Sequence, residues 1–322
     1  MLRKTVFLFL FLLVPSLLSF TWGFFAHQTI NRLAVYTLPT GMIRFYKSNI
    51  LFISEHAVDP DKRRYADTSE APRHFIDTDR YGSAPFDSIP QVWKLASEKY
   101  GEHTLYENGI VPWQIERSYH SLVGAFKARD SLRILRLSAD IGHYISDAHV
   151  PLHTTENYNG QLTGQLGIHG FWESRLPELF HNEYDFLVGR AQYIADPLKE
   201  AWAIVKKAQS HKDSVLLIEA RLSKTFASHR KFTFSERNGR VERQYSEAYA
   251  RAYHQLMDGM VETQIRSSIL KTGSFWYSAW IDAGQPGLRN LVKIETTAQE
   301  KLIQEKERMS YEKGEIIGRA EN

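Results

Sequence analysis

Apolar residues recur every three to four positions through most of this chain, which is the spacing of one helix face. The pattern runs through 27–38 (HQTINRLAVYTL), 91–103 (QVWKLASEKYGEH), 112–128 (PWQIERSYHSLVGAFKA) and 130–151 (DSLRILRLSADIGHYISDAHVP), and again from about Tyr245 to Leu270. Start and stop signals agree with it: Pro112 opens one segment, Asp130 and Ser131 open the next, and Pro151 closes it. No strand-rich block occurs; residues 231–246 (KFTFSERNGRVERQYS) read as a short hairpin turning at Asn238-Gly239. Residues 155–167 (TENYNGQLTGQLG), with three glycines and two asparagines, read as a loop, and 275–284 (FWYSAWIDAG) as an aromatic core stripe. After Gln285-Pro286-Gly287 the chain turns charged (TTAQEKLIQEKERMSYEKGE), the pattern of a solvated peripheral helix. The expectation is one all-α, multi-helix domain over residues 22–285, with a charged helical tail at 286–322.

The first 21 residues change the picture. Arg3 and Lys4 precede an apolar run from Val6 to Leu18, and Ser19 and Thr21 occupy the −3 and −1 positions before Trp22. This is the pattern of a secretory signal peptide cleaved at Trp22, and it places the protein outside the cytoplasm, secreted or periplasmic. The competing reading is an uncleaved anchor, because apolar residues continue to Phe25. An oxidising compartment favours disulfides, yet the chain has no cysteine, so any metal site must be built from His, Asp, Glu or backbone. The formal charge is +3, and without Arg3 and Lys4 the chain has 38 basic against 37 acidic residues. A nearly neutral body gives no electrostatic case for duplex binding.

Candidate chemistry concentrates in the stretch HYISDAHVPLH (143–153). His143 and Asp147 are four apart, share a helix face and can reach one ion; Asp140, three residues earlier, can orient a ligand from behind. His153 lies beyond Pro151, where the chain can turn back over that face, whereas His149 is two past Asp147 and points elsewhere. A second pair at the same spacing is His169 and Glu173, in GIHGFWES. His74 and Asp77 in PRHFIDTD, Asp59 in HAVDPD, and His27 in WGFFAHQ are further candidates. One such pair alone is more often a solvated surface pair or a satisfied core histidine. Two pairs with flanking histidines in one helical domain fit zinc: nitrogen and carboxylate donors, no thiolate. His56, His103, His120, His181, His211, His229 and His254 repeat no ligand spacing and read as surface or core-edge residues.

Taken in order, Trp then His, Asp then His-Phe-Ile-Asp, His-x3-Asp-x5-His and His-x3-Glu resemble the zinc-dependent phospholipase C and single-strand-specific nuclease superfamily. The resemblance runs from Trp22 to Glu173. It implies an all-α fold carrying three zinc ions. The first would take Asp59, His74, His143 and Asp147; the second His153, His169 and Glu173; the third the free amino group and carbonyl of Trp22 with His27, bridged by Asp147. Asp77 matches an acid tied to activity in the nuclease branch; the expectation is that Asp77 or Asp59 orients the attacking water, with the loop 154–168 and Trp22 at the rim and Phe75 or Tyr158 against a headgroup or base.

Glu173 matches the phospholipase branch, where the nucleases carry Asp, while the Trp22–His27 and Asp59–His74 spacings and the HFID motif resemble the nuclease branch. The acid and aromatics that hold choline in the phospholipases find Phe25, Pro60 and Ala71 at the relevant positions here. The expectation is therefore a secreted zinc-dependent phosphodiesterase acting on phospholipid, with transient contact at a membrane surface and no obligate protein partner. A nuclease acting on single-stranded nucleic acid is the first alternative, and a non-catalytic periplasmic zinc-binding protein the second.

Overall fold

The computed structural model describes residues 24–237, 240–291 and 298–313. Helices dominate, and the one sheet among the described residues is the antiparallel hairpin Phe232–Arg237 with Arg240–Tyr245. The centre is an antiparallel pair of helices, Val111–Ala128 and Ser131–Ala148, packed along their length. Arg129 turns between them in a left-handed conformation, and the Asp130 side chain accepts the Arg133 N–H at 3.0 Å, the cap expected from the sequence. No described helix is long and apolar enough to cross a membrane.

Two apolar clusters form the core. One gathers Trp113, Tyr119, Phe126, Ile141 and Trp276 around the central pair; the other gathers Leu152, Phe171, Phe180, Tyr249 and Tyr253 around the segment that follows. Each fully buried phenylalanine contributes about 2 kcal/mol in area terms. Two helices tie the clusters together. Phe24–Ala34 places Ile30 in the second and Ala34 in the first, and Met260–Asp282 places Ile265 and Ile269 in the second and Phe275 and Trp276 in the first. The two clusters are thereby held at fixed separation, and the buried polar groups described below lie where the elements of both meet.

The structure differs from the sequence pattern at helix breaks. The segment expected as one helix from Tyr245 to Leu270 is two, Glu247–Leu256 and Met260–Asp282, because Asp258 and Gly259 are both left-handed. Likewise 91–103 breaks at Gly101, φ 78°, into Trp93–Tyr100 and Glu102–Glu107. The aromatic stripe is core: Phe275 and Trp276 are fully buried. The tail helix Ala298–Lys313 is peripheral, but Tyr311 packs against Phe24 and Tyr65, with ring centroids 5.8 and 5.0 Å apart. Leu288, beyond the expected domain limit at 285, is buried in the first cluster. Residues 1–23, including the expected signal segment and Trp22, lie outside the described residues.

Gly142 marks how closely the helices approach beside His143. A Cβ there would meet Asn31 Oδ1 at 2.0 Å and Thr272 Cγ2 at 3.0 Å, so it contacts both bridging helices. Asn31 is fully buried and donates to the Ala139 carbonyl at 3.0 Å, so it cannot simply swing away. Gly142→Ala is expected to destabilise the fold by about 1–3 kcal/mol through overpacking, read as a lowered denaturant midpoint. An unchanged midpoint would refute this packing.

Candidate metal centre

The helix Ser131–Ala148 ends by delivering His143 and Asp147 inward, both completely or almost completely buried. Beyond Pro151 a short 3-10 turn, Pro151–Thr154, swings the chain back. There the His153 Nδ1–H donates to the His74 carbonyl at 2.7 Å, and the Ile76 N–H donates to the His153 carbonyl at 2.9 Å. The stretch 74–77 is thus held alongside His153. The loop then leads into a helical segment from Ile168 to Phe180 whose middle, Phe171–Arg175, is wound as a π-helix; this segment carries His169 and Glu173. His27 enters from the first described helix.

Asp147 is the meeting point. Its carboxylate lies 2.9 Å from His74 Nδ1, 3.1 Å from His143 Nε2 and 3.4 Å from His27 Nε2. Glu173 is the second: its carboxylate lies 2.8 Å from His169 Nε2, 3.2 Å from His153 Nε2 and 3.4 Å from His27 Nε2. His27 therefore bridges the two acids, and its ring stacks on His143 with centroids 4.1 Å apart. Asp61 completes the group, 3.7 Å from His143 Nε2 and 3.8 Å from His74 Nδ1. Among the described residues these eight form four overlapping triads, in each of which the candidate ligand atoms lie within 4.8 Å of one another.

A family model described as zinc dependent phospholipase C matches residues 26–236, about two-thirds of the chain. The chain belongs to that family. No curated protein matches it. As a member of the zinc-dependent phospholipase C family it is a hydrolase with a metal-dependent site, and the donors fit zinc. The decisive feature is how the imidazoles are held. His143, His153 and His169 each donate Nδ1–H to a backbone carbonyl, of Ala57 at 2.9 Å, His74 at 2.7 Å and Tyr158 at 3.2 Å, leaving Nε2 as the lone-pair donor aimed at the acids. His74 is reversed. Its Nε2 faces Glu70 at 3.5 Å and its Nδ1 faces the cluster. Fixing one ring nitrogen so that the other offers a lone pair is how proteins prepare metal-binding histidines. His169 Nε2, the nitrogen that faces the cluster, lies 2.8 Å from Glu173 yet makes no hydrogen bond; such an orphaned atom is costly in a site held by hydrogen bonds alone.

Seven of the nine expected ligands are brought together: His27, His74, His143, Asp147, His153, His169 and Glu173. Asp59 is not among them. Its carboxylate is captured by His56 Nδ1 at 2.5 Å and Lys62 at 3.2 Å, and Asp61, two residues on, faces His74 and His143 in its place. Trp22 lies outside the described residues. His149 is turned away as expected: it donates to Ile145 O at 2.7 Å, contacts Ser267, and burial pushes its pKa down to about 4. Asp140 does not touch His143; it binds Arg63 at 3.0 Å. Arg63 in turn faces Glu70 at 3.4 Å, so Asp140 supports His74 through two intermediaries. Phe75, expected at the rim, is buried, whereas Tyr158 is half-buried. Asp77 is buried, its N–H bonded to the Asn108 carbonyl at 2.7 Å. Glu70 and Asp61 were missed by sequence reasoning. The signal for Glu70 was present: it stands four residues before His74, the spacing of the other two pairs in reverse order.

Without cations the electrostatics are lopsided. Burial opposes charge on His143, but Asp147 and Asp61 outweigh it and push the pKa up to about 9. Burial would raise Asp147 and Glu173, yet the surrounding imidazoles hold both carboxyls well below the ordinary range. Because His143 must lose its proton to bind metal, zinc uptake at pH 7.5 is expected to release about one proton or more per chain, read by calorimetry in buffers of different ionisation heat. Metal-free protein has the opposite sensitivity. A pKa raised from 6.5 to about 9 stabilises the fold fully below about pH 6.5 and ceases to do so as pH rises through about 9. Its melting midpoint should therefore fall across that window; uptake without proton release would contradict the assignment.

Proposed function

We propose that this protein is a secreted hydrolase that cleaves the phosphodiester bond of phospholipids, of the phospholipase C type, at a cluster of three zinc ions. The observation that carries the reading is the convergence of five imidazoles on Asp147, Glu173 and Asp61 in a chain of this family. His74, His143, Asp147 and Asp61 would hold one ion; His153, His169 and Glu173 a second; His27 with Asp147, Glu173 and the chain start at Trp22 a third. Zinc held there supplies positive charge against an anionic phosphodiester and lowers the pKa of water enough for attack near neutral pH. The carbonyls of Ala57, His74 and Tyr158 fix the imidazoles so that little reorganisation is needed during reaction.

Asp59 is occupied by His56 and Lys62, so orientation of the attacking water falls to Asp77. Its support is position: it ends the stretch 74–77 that runs beside His153. Pro60 and Ala71 are buried and the Phe25 ring packs against His181 at 4.6 Å, so these three positions form no aromatic cage for choline. The nuclease reading draws on the His74-Phe75-Ile76-Asp77 motif and uses the same groups.

The zinc-loaded protein should hydrolyse bis-nitrophenyl phosphate and lose that activity on chelation. Absence of turnover in zinc-replete protein would favour the non-catalytic reading. On natural substrates, phosphatidylcholine and phosphatidylethanolamine should both be cleaved, and faster than single-stranded DNA; the reverse order would establish the nuclease. N-terminal sequencing of exported protein should begin at Trp22. Asp77→Asn should lower kcat by about 10²-fold with zinc content unchanged, and loss of zinc with activity would make Asp77 a ligand instead.

A further inference from the structure

The near-neutral charge of the chain hides a segregated one. Residues 220–245 contain seven Lys and Arg against two Glu, while the rest of the chain contains 33 basic and 35 acidic residues. Three of the seven, Arg237, Arg240 and Arg243, lie in the hairpin Phe232–Arg237/Arg240–Tyr245; the other four precede it, Arg221 and Lys224 at the end of the helix Lys212–Thr225 and Arg230 and Lys231 in the short helix Ser228–Lys231, where Lys231 is paired with Glu219. Arg221, Lys224, Arg230 and Arg243 are all solvent-exposed.

The same hairpin carries uncovered apolar side chains. Its register pairs Phe232 with Tyr245, Phe234 with Arg243 and Glu236 with Val241, so these six positions share one face. At the root, Tyr245 stacks on Phe171 with ring centroids 4.0 Å apart, and Phe171 lies between His169 and Glu173 in sequence. Farther out the face leaves the core, and Phe234 and Val241 are 70% and 71% exposed. The loop beside it repeats the feature, with Leu162 and Leu166 at 65% and 69%. The two are joined at one polar node. Gln165, between those leucines, donates to Glu219 at 2.5 Å, and Glu219 accepts from Lys231, at the hairpin entrance, at 2.9 Å. That loop also supplies the Tyr158 carbonyl that orients His169.

We propose that the hairpin and the basic helix ends leading into it, with the tip of the loop 155–167, form the element that docks this protein on an anionic phospholipid surface. Phe234, Val241, Leu162 and Leu166 enter the interface, and the surrounding Lys and Arg meet the lipid phosphates. The charge complementarity selects an anionic partner. The apolar groups select lipid over single-stranded nucleic acid, because three of the four are aliphatic and offer no π-face on which a base could stack. The inference rests on phospholipid being the substrate, and it adds where the protein meets it.

The test uses zinc-loaded full-length protein and co-sedimentation with vesicles of phosphatidylcholine alone or containing phosphatidylglycerol. Wild type should bind the phosphatidylglycerol vesicles at least ~10-fold more tightly. A Phe234→Ser/Val241→Ser variant should lose ~10-fold or more of that binding, and Lys224→Glu/Arg230→Glu ~5-fold or more per position. Turnover of a soluble short-chain phosphatidylcholine should stay within ~2-fold of wild type in both. Equal sedimentation of wild type and the charge variant, or the same affinity for both vesicle types, would overturn the proposal. So would single-stranded DNA binding that the charge variant abolishes. Failure of wild type to cleave the short-chain lipid would instead count against the substrate, and vesicle binding would be read independently of it. The charge variant keeps the test decisive if the serine variant unfolds.

Discussion

The fold depends on satisfying a buried carboxylate in an adverse place. Asp147 is 1% exposed and sits one residue before the end of the helix Ser131–Ala148. The negative pole of the helix dipole lies there, so the helix itself disfavours an anion. Burial adds several kcal/mol of desolvation cost unless positive charge and hydrogen bonds offset it. Three imidazoles from segments far apart in sequence supply the offset, and each must be protonated or share a cation to do so. Chain segments at 27, 74 and 143 are therefore tied to a single point, and the charge state of that point is coupled to the packing of both apolar clusters.

Glu173 repeats the arrangement on the other side, and His27 belongs to both acids. This explains why the two bridging helices matter. The helix Phe24–Ala34 spans the clusters and its His27 spans the acids, so the separation of Asp147 and Glu173 is set by apolar packing, not by their own contacts. Behind the acids, the face that presents His143 and Asp147 also presents Asp140 one turn earlier. Asp140 holds Arg63, Arg63 faces Glu70, and Glu70 accepts from Tyr144 as well as facing His74. One helix thus carries two of the converging groups and, in Asp140 and Tyr144, two of the contacts behind a third.

Much of this could be read from the chain, because helices convert spacing into geometry. His143 with Asp147, and His169 with Glu173, are four apart on helical segments, so sharing a face followed from periodicity. His153 followed from Pro151 turning the chain. The differences share a cause. Asp59 and Asp61 flank Pro60 in a short helix, Asp59–Arg63, and which of them faces inward depends on how that helix docks. His56, three residues before Asp59, engages its carboxylate. Glu70 stands outside any long helix, with Pro72 between it and His74, so the spacing that identified the other pairs did not mark a face there. The helix breaks at Gly101 and Asp258-Gly259 arose where left-handed residues interrupt an otherwise continuous apolar pattern, and periodicity alone does not register backbone handedness.

The number of cations decides what the centre can attract. Asp61, Asp147 and Glu173 bring three negative charges into one cluster, and five neutral imidazoles bring none. One divalent ion leaves the cluster net negative, and a phosphodiester anion would be repelled at close range in a low-dielectric setting. Two ions leave a single positive charge, and three leave a larger excess. On sign alone, the proposed binding of an anionic substrate is favoured by more than one metal in the cluster. The same argument explains the protons on the metal-free imidazoles: protonation of His143 is the partial substitute available when no metal is present. Proton and metal compete for one lone pair on Nε2, so acidity should empty the centre before it unfolds the protein.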